Sequence, residues 1–245
     1  SEADIDRIKK LRNNETENYK SVQSYYTKHN AGNDAAWIHY LEGNYKEYPV
    51  EILRHNHAQV YQCIDFMRQD QQNPSTYGDW YLQARNPISV EGLLQLTMGA
   101  PLFLYNGGLL QARLRYFDVD RRRPGLPKDV GALVESMSDD TIVVQLANLS
   151  TIEKREVILQ AGAFGEHIFK KAKGQRRRKL SEEEVGITGS DPRRYLDGVS
   201  EQIENFVVDI DDKVFSVDIE PACFIRLELG MDRFSGDPSY NFPWD

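Results

Sequence analysis

The stretch Tyr77-Gly-Asp-Trp80-Tyr81-Leu-Gln-Ala-Arg85-Asn86 gathers the residue types that recognise a polyhydroxylated ligand. Aromatic rings supply flat apolar faces, and carboxylate, guanidinium and amide groups supply directional hydrogen bonds. On this reading Asp79 is the candidate acid or base, Tyr77 and Trp80 are stacking platforms, and Arg85 and Asn86 anchor a hydroxyl or carboxylate. Cleavage of a glycosidic bond needs two opposed carboxylates, and no second one stands at a defensible spacing from Asp79. The competing reading packs Trp80 and Tyr81 into the core and pairs Arg85 with Asp79.

The other chemistry-bearing residues carry weaker signals. In His55-Asn-His57 the imidazoles are two apart and point to opposite sides of a helix, so a metal site is not expected there and no cofactor is implied. His57 falls in an apolar stripe and reads as a core histidine, whereas His55, grouped with Ile52, Gln59 and Gln62, is a second candidate acid or base facing a cleft. Glu91 opens a helix, where its charge complements the dipole. The glycines of Tyr105-Asn-Gly-Gly108 suit a tight turn rather than a phosphate cradle, and Arg121-Arg-Arg123 suits a surface turn. Lys170-Lys-Ala-Lys-Gly-Gln-Arg-Arg-Arg-Lys179 could meet an anionic polymer, but no aromatic residue is interleaved and three glutamates follow, so a neutralised, solvated loop is expected and nucleic acid is not.

The elements that must position these residues change kind near residue 105. Helical spacing dominates the first part. A short helix is predicted over Asp34 to Leu41, stopping at Gly43. A long one runs over Pro49 to Arg68, with Leu53, His57, Val60, Ile64 and Met67 as its buried stripe. An apolar interior helix is predicted over Val90 to Met98. Residues 1 to 30 suggest one or two thin amphipathic helices that need a partner surface.

Period-two patterns then take over. Leu114 and Tyr116 alternate with Arg113 and Arg115, and further strands are predicted over Ile142 to Leu149, Glu156 to Ala161, Phe206 to Ile210, Lys213 to Ile219 and Ala222 to Leu229. Asp211-Asp212 reads as a two-residue hairpin turn without the preferred glycine. Residues 170 to 200 read as a polar insertion, mobile or on the surface, and residues 232 to 245 as an aromatic, proline-rich tail lying across the protein or a partner. Helices followed by strands give an α+β class: a helical part at 1–105, an antiparallel β-sandwich at 106–231, and the tail.

Composition agrees with a soluble globular chain of two ordinary domains. Of 245 residues, 40% are hydrophobic and 28% charged. No apolar run nears the roughly 20 residues that span a bilayer, so no membrane partner is expected. A formal net charge of −8 disfavours nucleic acid. Two cysteines, Cys63 and Cys223, make no disulfide framework. Asn14-Glu-Thr16 and Asn148-Leu-Ser150 are acceptor triplets for N-glycosylation. The absence of an initiating methionine suggests a processed chain or one piece of a longer protein.

Helical hairpins closing with an interior helix precede Thr141-Ile-Val-Val-Gln-Leu-Ala-Asn-Leu-Ser150 and Val217-Asp-Ile-Glu-Pro-Ala-Cys-Phe-Ile-Arg-Leu-Glu-Leu229. Over residues 35 to 230 this organisation resembles the C-terminal region of six-hairpin glycosidase-like proteins, in which an α/α toroid is followed by a β-sandwich. The resemblance implies a substrate cleft in the helical part, a supporting sandwich, and membership of a saccharide-processing hydrolase or lyase. A toroid of twelve helices needs about 350 residues and only about 100 are present, so either another polypeptide completes the helical part in a hetero-oligomer, the expectation that the aromatic tail and the thin N-terminal helices favour, or that part is a small helical bundle on the sandwich. The alternative of a different class is a non-catalytic assembly or binding module.

Overall fold

The computed structural model of the chain describes residues 22, 33–78, 81, 85–87, 89–102, 111–177 and 203–245. The chain divides into two compact units, Ser1–Leu96 with Ala100–Asn106, and Thr97–Gly99 with Gly107–Asp245.

In the first unit, α1 spans Asp34–Leu41 and α2 spans Tyr48–Gln69. Gly43, at φ +80°, ends α1 as expected, its N–H reaching the Tyr40 carbonyl. Pro49 stands in the first turn of α2, where its missing N–H has no helical acceptor. The covered face of α2 differs from the expected stripe. Tyr48, Ile52 and Asn56 are buried, whereas Leu53 is 43% exposed, Met67 46% exposed, and His57, expected in the core, is exposed with its ring edge against Tyr61.

Packing explains the choice. Tyr40 stacks on Tyr48 at 5.9 Å between ring centres, and Tyr45 meets it edge-on at 5.6 Å. Gly92 lies so close to α2 that a methyl group there would sit 2.9 Å from Asn56 Oδ1 and 3.2 Å from Ile52 Cγ1.

The expected interior helix at Val90–Met98 is a single turn, α3 (Glu91–Leu93), running into a π-helical turn, Leu94–Met98. Its apolar Val90 and Leu93 are exposed, while Glu91, Gly92, Gln95 and Leu96 are buried. Besides these, the described residues before 100 hold the 3-10 turn Pro74–Thr76 and the helical positions Tyr81 and Arg85, and no toroid is seen among them. No helix of the described residues is long and apolar enough to cross a membrane.

The second unit holds two antiparallel sheets, the expected sandwich. One has the order β2-β1-β5-β8 and the other β3-β4-β9-β6-β7. The strands are β1 Leu114–Asp118, β2 Arg123–Pro124, β3 Val130–Met137, β4 Thr141–Asn148, β5 Arg155–Ala161, β6 Ile168–Arg177, β7 Ile203–Asp212, β8 Val214–Ile219 and β9 Phe224–Asp232. Alternation places Leu114, Tyr116, Val144, Leu146, Leu159, Ile225, Leu227 and Leu229 in its core.

Three expectations are corrected in this unit. Residues 168–177 form an interior strand, paired with β7 on one side and β9 on the other, instead of the start of a loop; residues 178–200 of the expected insertion lie outside those described. Its inward positions are Phe169, Ala172 and Gly174, two of them too small to register as apolar periodicity. Gly174 is small because the Phe206 ring occupies the space a side chain would need, 2.0 Å from the position of a Cβ. Four of the cluster's cations make cross-strand ion pairs: Lys171–Asp209 at 3.4 Å, Lys173–Glu228 at 2.7 Å, Arg176–Glu204 at 2.6 Å, and Lys170 with Asp211.

Asp211-Asp212 is not a hairpin turn, because both residues end β7 and β7 and β8 belong to different sheets; Asp211, at φ +53°, stands at the register shift opposite Phe169 and Lys171. Asn148 is not an accessible glycan acceptor. It is buried, and its amide donates to the carbonyls of Glu153, Ile219 and Glu220 at 2.8, 3.0 and 3.3 Å.

The tail runs over its own sandwich. Phe242 and Trp244 set their rings edge-on against Phe117, 6.1 and 5.6 Å between centres, and Phe117 is fully buried although it points away from the core side of β1.

Candidate functional site

The end of α2 and the turn after it bring five side chains together. Phe66 and Asp70 are one helical turn apart, with Asp70 capping the helix in extended conformation. Asn73 accepts from the Ser75 N–H at 3.0 Å and starts the short 3-10 turn Pro74–Thr76, which reverses the chain. Tyr77, Tyr81 and Arg85 then follow at four-residue steps. The rings of Tyr77 and Tyr81 stack at 3.6 Å between centres and 7° between planes. The Tyr77 hydroxyl donates to the Gln72 carbonyl at 3.5 Å, and both hydroxyls act on the Asp70 carboxylate. The Arg85 guanidinium lies 4.5 Å above the Phe66 ring, a cation–π contact, and its charge acts on Asp70.

This geometry sets protonation. The Gln72 N–H, donating to Asp70 at 2.8 Å, leads the causes that hold the Asp70 carboxyl below its usual range, and both tyrosine hydroxyls and Arg85 push the same way. The Tyr77 hydroxyl is pushed up, first by its hydrogen bond with Tyr81, then by desolvation and Asp70. Asp70 is therefore an ionised acceptor and Tyr77 a protonated donor at neutral pH. The arrangement can hold hydroxyls and offer ring faces, but Asp70 is a poor proton donor.

Of the residues picked out in the sequence, Tyr77 and Arg85 are brought together here. Asn86 follows Arg85 in exposed chain, while Asp79 and Trp80 lie outside the described residues. The alternative that paired Arg85 with Asp79 did not include Asp70, whose carboxylate the Arg85 charge reaches. Asp70 and Phe66 were missed. Their signal was a four-residue step at the end of α2, mirrored by Tyr77, Tyr81 and Arg85.

His55 lies elsewhere, roughly 20 Å from Asp70 along α2 at 1.5 Å per residue. It is half-buried, and burial lowers its proton affinity, against which the charge of Glu91 works.

Glu91 centres a second, closed polar network. It is 1% exposed and accepts from the Asn33 backbone N–H and, at 3.0 Å, from the Asn33 amide. Gln95 donates to Asp34 at 2.9 Å and Glu91 at 3.4 Å and accepts from the Tyr48 hydroxyl. Asn56 accepts from Gly92 N–H at 2.7 Å and donates to Gln59 at 3.0 Å, and Ser89 donates to Gln59 at 2.8 Å. The carboxylate thus sits at the N-termini of both α1 and α3, more than the single dipole contact expected of it. Its oxygens are engaged by the fold, so the network pins helices together rather than awaiting a ligand. Among the described residues no group of acidic, histidine or cysteine side chains could hold a metal ion.

A family model described as a domain of unknown function, DUF8034, matches residues 1–94. No curated protein matches the chain. Among solved structures, the chain is similar to an α-L-arabinofuranosidase from Thermotoga maritima in its arabinose complex. The identity is 12%, the TM-score 0.27, and the match covers 47% of this chain and 23% of that one. It is also similar to a GH51 α-L-arabinofuranosidase from Thermotoga petrophila RKU-1, at 14% identity and a TM-score of 0.27, covering 44% and 21% of the two chains. A third structure, titled an arabinofuranosidase, matches at 13% identity and a TM-score of 0.28, over 47% and 22%. The chain spans less than a quarter of these structures, and likeness of that degree carries no argument about its activity.

Proposed function

We propose that the helical unit is a saccharide-binding part of a larger carbohydrate-active enzyme or complex, with the site around Asp70, Tyr77, Tyr81 and Arg85, and that the sandwich supports it. The observation that carries this reading is the convergence of two stacked phenol rings, a fixed carboxylate and a guanidinium at the end of α2. An ionised acceptor and protonated donors beside aromatic faces match the alternating hydroxyls and C–H faces of a sugar. The depressed proton affinity of Asp70 favours the binding form of this function over hydrolase or lyase catalysis by that carboxylate. A neighbouring polypeptide covering the helical unit belongs to the same proposal. The uncovered stripe of α2, with Val50 53%, Leu53 43% and Tyr61 56% exposed, supports it.

Titration of the full chain with neutral and uronic oligosaccharides, followed by calorimetry and NMR, tests the reading. Binding that weakens at least about tenfold in Tyr77→Ala and in Asp70→Asn is expected, a loss of about 1.4 kcal/mol or more. Absence of binding across the panel, or variants that bind like the wild type, would sink it.

A further inference from the structure

The loop between β5 and β6 carries a buried histidine on which the C-terminal strap is hung. His167 has no exposed surface. Its Nδ1 accepts from the Phe234 N–H at 3.0 Å, and the Phe234 ring meets the imidazole edge-on at 4.7 Å. A nitrogen that accepts from a backbone N–H carries no proton, so the ring is neutral with its hydrogen on Nε2. Nε2 is also buried and has no hydrogen-bond partner among the described residues.

The strap continues along the same loop. Gly236 N–H donates to the Glu166 carbonyl at 3.2 Å and Ser239 N–H to the Phe164 carbonyl at 2.8 Å. At Gly236 a side chain would meet the Gly165 carbonyl at 2.6 Å, so the seat is close-fitting. The loop itself is rigidly made: the Glu166 carboxylate, 2% exposed, accepts from the Ala163 and Phe164 N–H groups at 3.1 and 2.7 Å.

We propose that His167 is a proton-operated latch for the strap Phe234–Asp245: a proton on Nδ1 turns the acceptor of the Phe234 N–H into a second donor and detaches the strap from the 162–167 loop. The imidazolium would be a buried charge with a donor turned against the Phe234 N–H, and only the Glu166 backbone carbonyl beside the ring works in its favour as an acceptor.

Charges around the ring pull both ways. Glu166, on the same loop, favours the proton through its carboxylate charge and through its backbone carbonyl. Arg233 on the strap and Arg113 before β1 oppose it, and Arg113 is itself flanked by Asp139 and Asp140 of the β3–β4 turn. Lys213, between β7 and β8, packs its stem on Gly165. Burial outweighs these and holds the docked imidazole below its usual value of 6.5. Detached, the histidine takes up a proton first. Docking strength is therefore full above about 6.5 and falls as the pH drops from there toward the lowered value of the docked state.

Hydrogen exchange of the full chain between pH 7.5 and 5, corrected for intrinsic rates, reads the latch directly. Protection of the Phe234, Gly236 and Ser239 amides is expected to fall by up to about tenfold per pH unit below about 6.5, the slope of one proton. The amides of β4 and β9 should stay protected. In His167→Asn, whose amide oxygen can replace Nδ1 as acceptor without titrating, strap protection should be flat with pH. A second reading on the wild type needs no variant: the His167 imidazole resonance should titrate with the midpoint of strap detachment. Strap protection flat in the wild type, loss in step with β4 and β9, the same decline in His167→Asn, or different midpoints would each overturn the latch.

Discussion

The two units solve burial in opposite ways. In the sandwich, Leu114, Leu146, Leu159, Leu227 and Leu229 fill an apolar interior, and the ion pairs of β6, β7 and β9 lie on its surface. In the helical unit the interior contains Glu91, Gln95 and Asn33, joined by hydrogen bonds that extend to Asp34 and Tyr48, and Asn56, bonded to Gly92 and Gln59, with Ile52, Leu96, Ala36 and Trp37 around them. An apolar core asks only for volume and is forgiving of shape. A buried polar network needs every partner, because a group left without one loses its hydration and receives nothing in return. The helical unit should be the more specific and the more fragile of the two.

That contrast can be broken. Truncating the apolar core has the largest expected effect: Leu227→Ala should cost about 2–5 kcal/mol, measured by urea unfolding. Replacing Gln95 by Met, of similar volume, should cost about 1–3 kcal/mol, chiefly through the Tyr48 hydroxyl that loses its acceptor, since Asp34 keeps the Leu102 N–H; hydrogen exchange in α1 and α2 reads the change. The matching swap in the sandwich, Leu227→Met, should cost less than about 1.5 kcal/mol. If Gln95→Met proved as mild as Leu227→Met, the distinction between the units would be lost. Smallest of all, Lys173→Met on the outer face of β6 should shift stability by no more than about 0.5 kcal/mol, because an exposed ion pair is screened by water.

The contrast can be sharpened at the candidate site through pH. The Asp70 carboxyl is held below its usual 3.8, so its interactions are intact above 3.8 and disappear only as pH falls through the lowered value. Saccharide affinity, where Asp70 contributes, should be constant from about pH 8 to about pH 4.5. A midpoint near 6 would point instead to a histidine.

Several elements were readable before folding was considered, and the reasons are local. Gly43 after α1 and Pro49 at the start of α2 mark ends that depend on backbone freedom alone. The alternation of Cys223, Ile225, Leu227 and Leu229 identified β9 without knowledge of its neighbours. Strand β6 escaped detection because its inward residues are Phe169, Ala172 and Gly174, and because its charges make sense only once Asp209, Glu228 and Glu204 stand across from them. At the candidate site, the loop of Tyr77 and Arg85 was legible from residue type. Asp70 was not, since nothing in the chain announces that the turn after α2 folds back upon it.

Residue order was enough to show helices giving way to strands, the apolar alternation of several strands of the sandwich, and the aromatic character of the tail. These follow from backbone geometry and from side chains a few positions apart. Folding alone chose which stripe of α2 is covered, sent β7 and β8 to different sheets, buried Asn148 among three carbonyls, and set the tail over Phe117. Each of those outcomes rests on partners far away in the chain, and the energy of a contact between remote residues is written in neither of their local patterns.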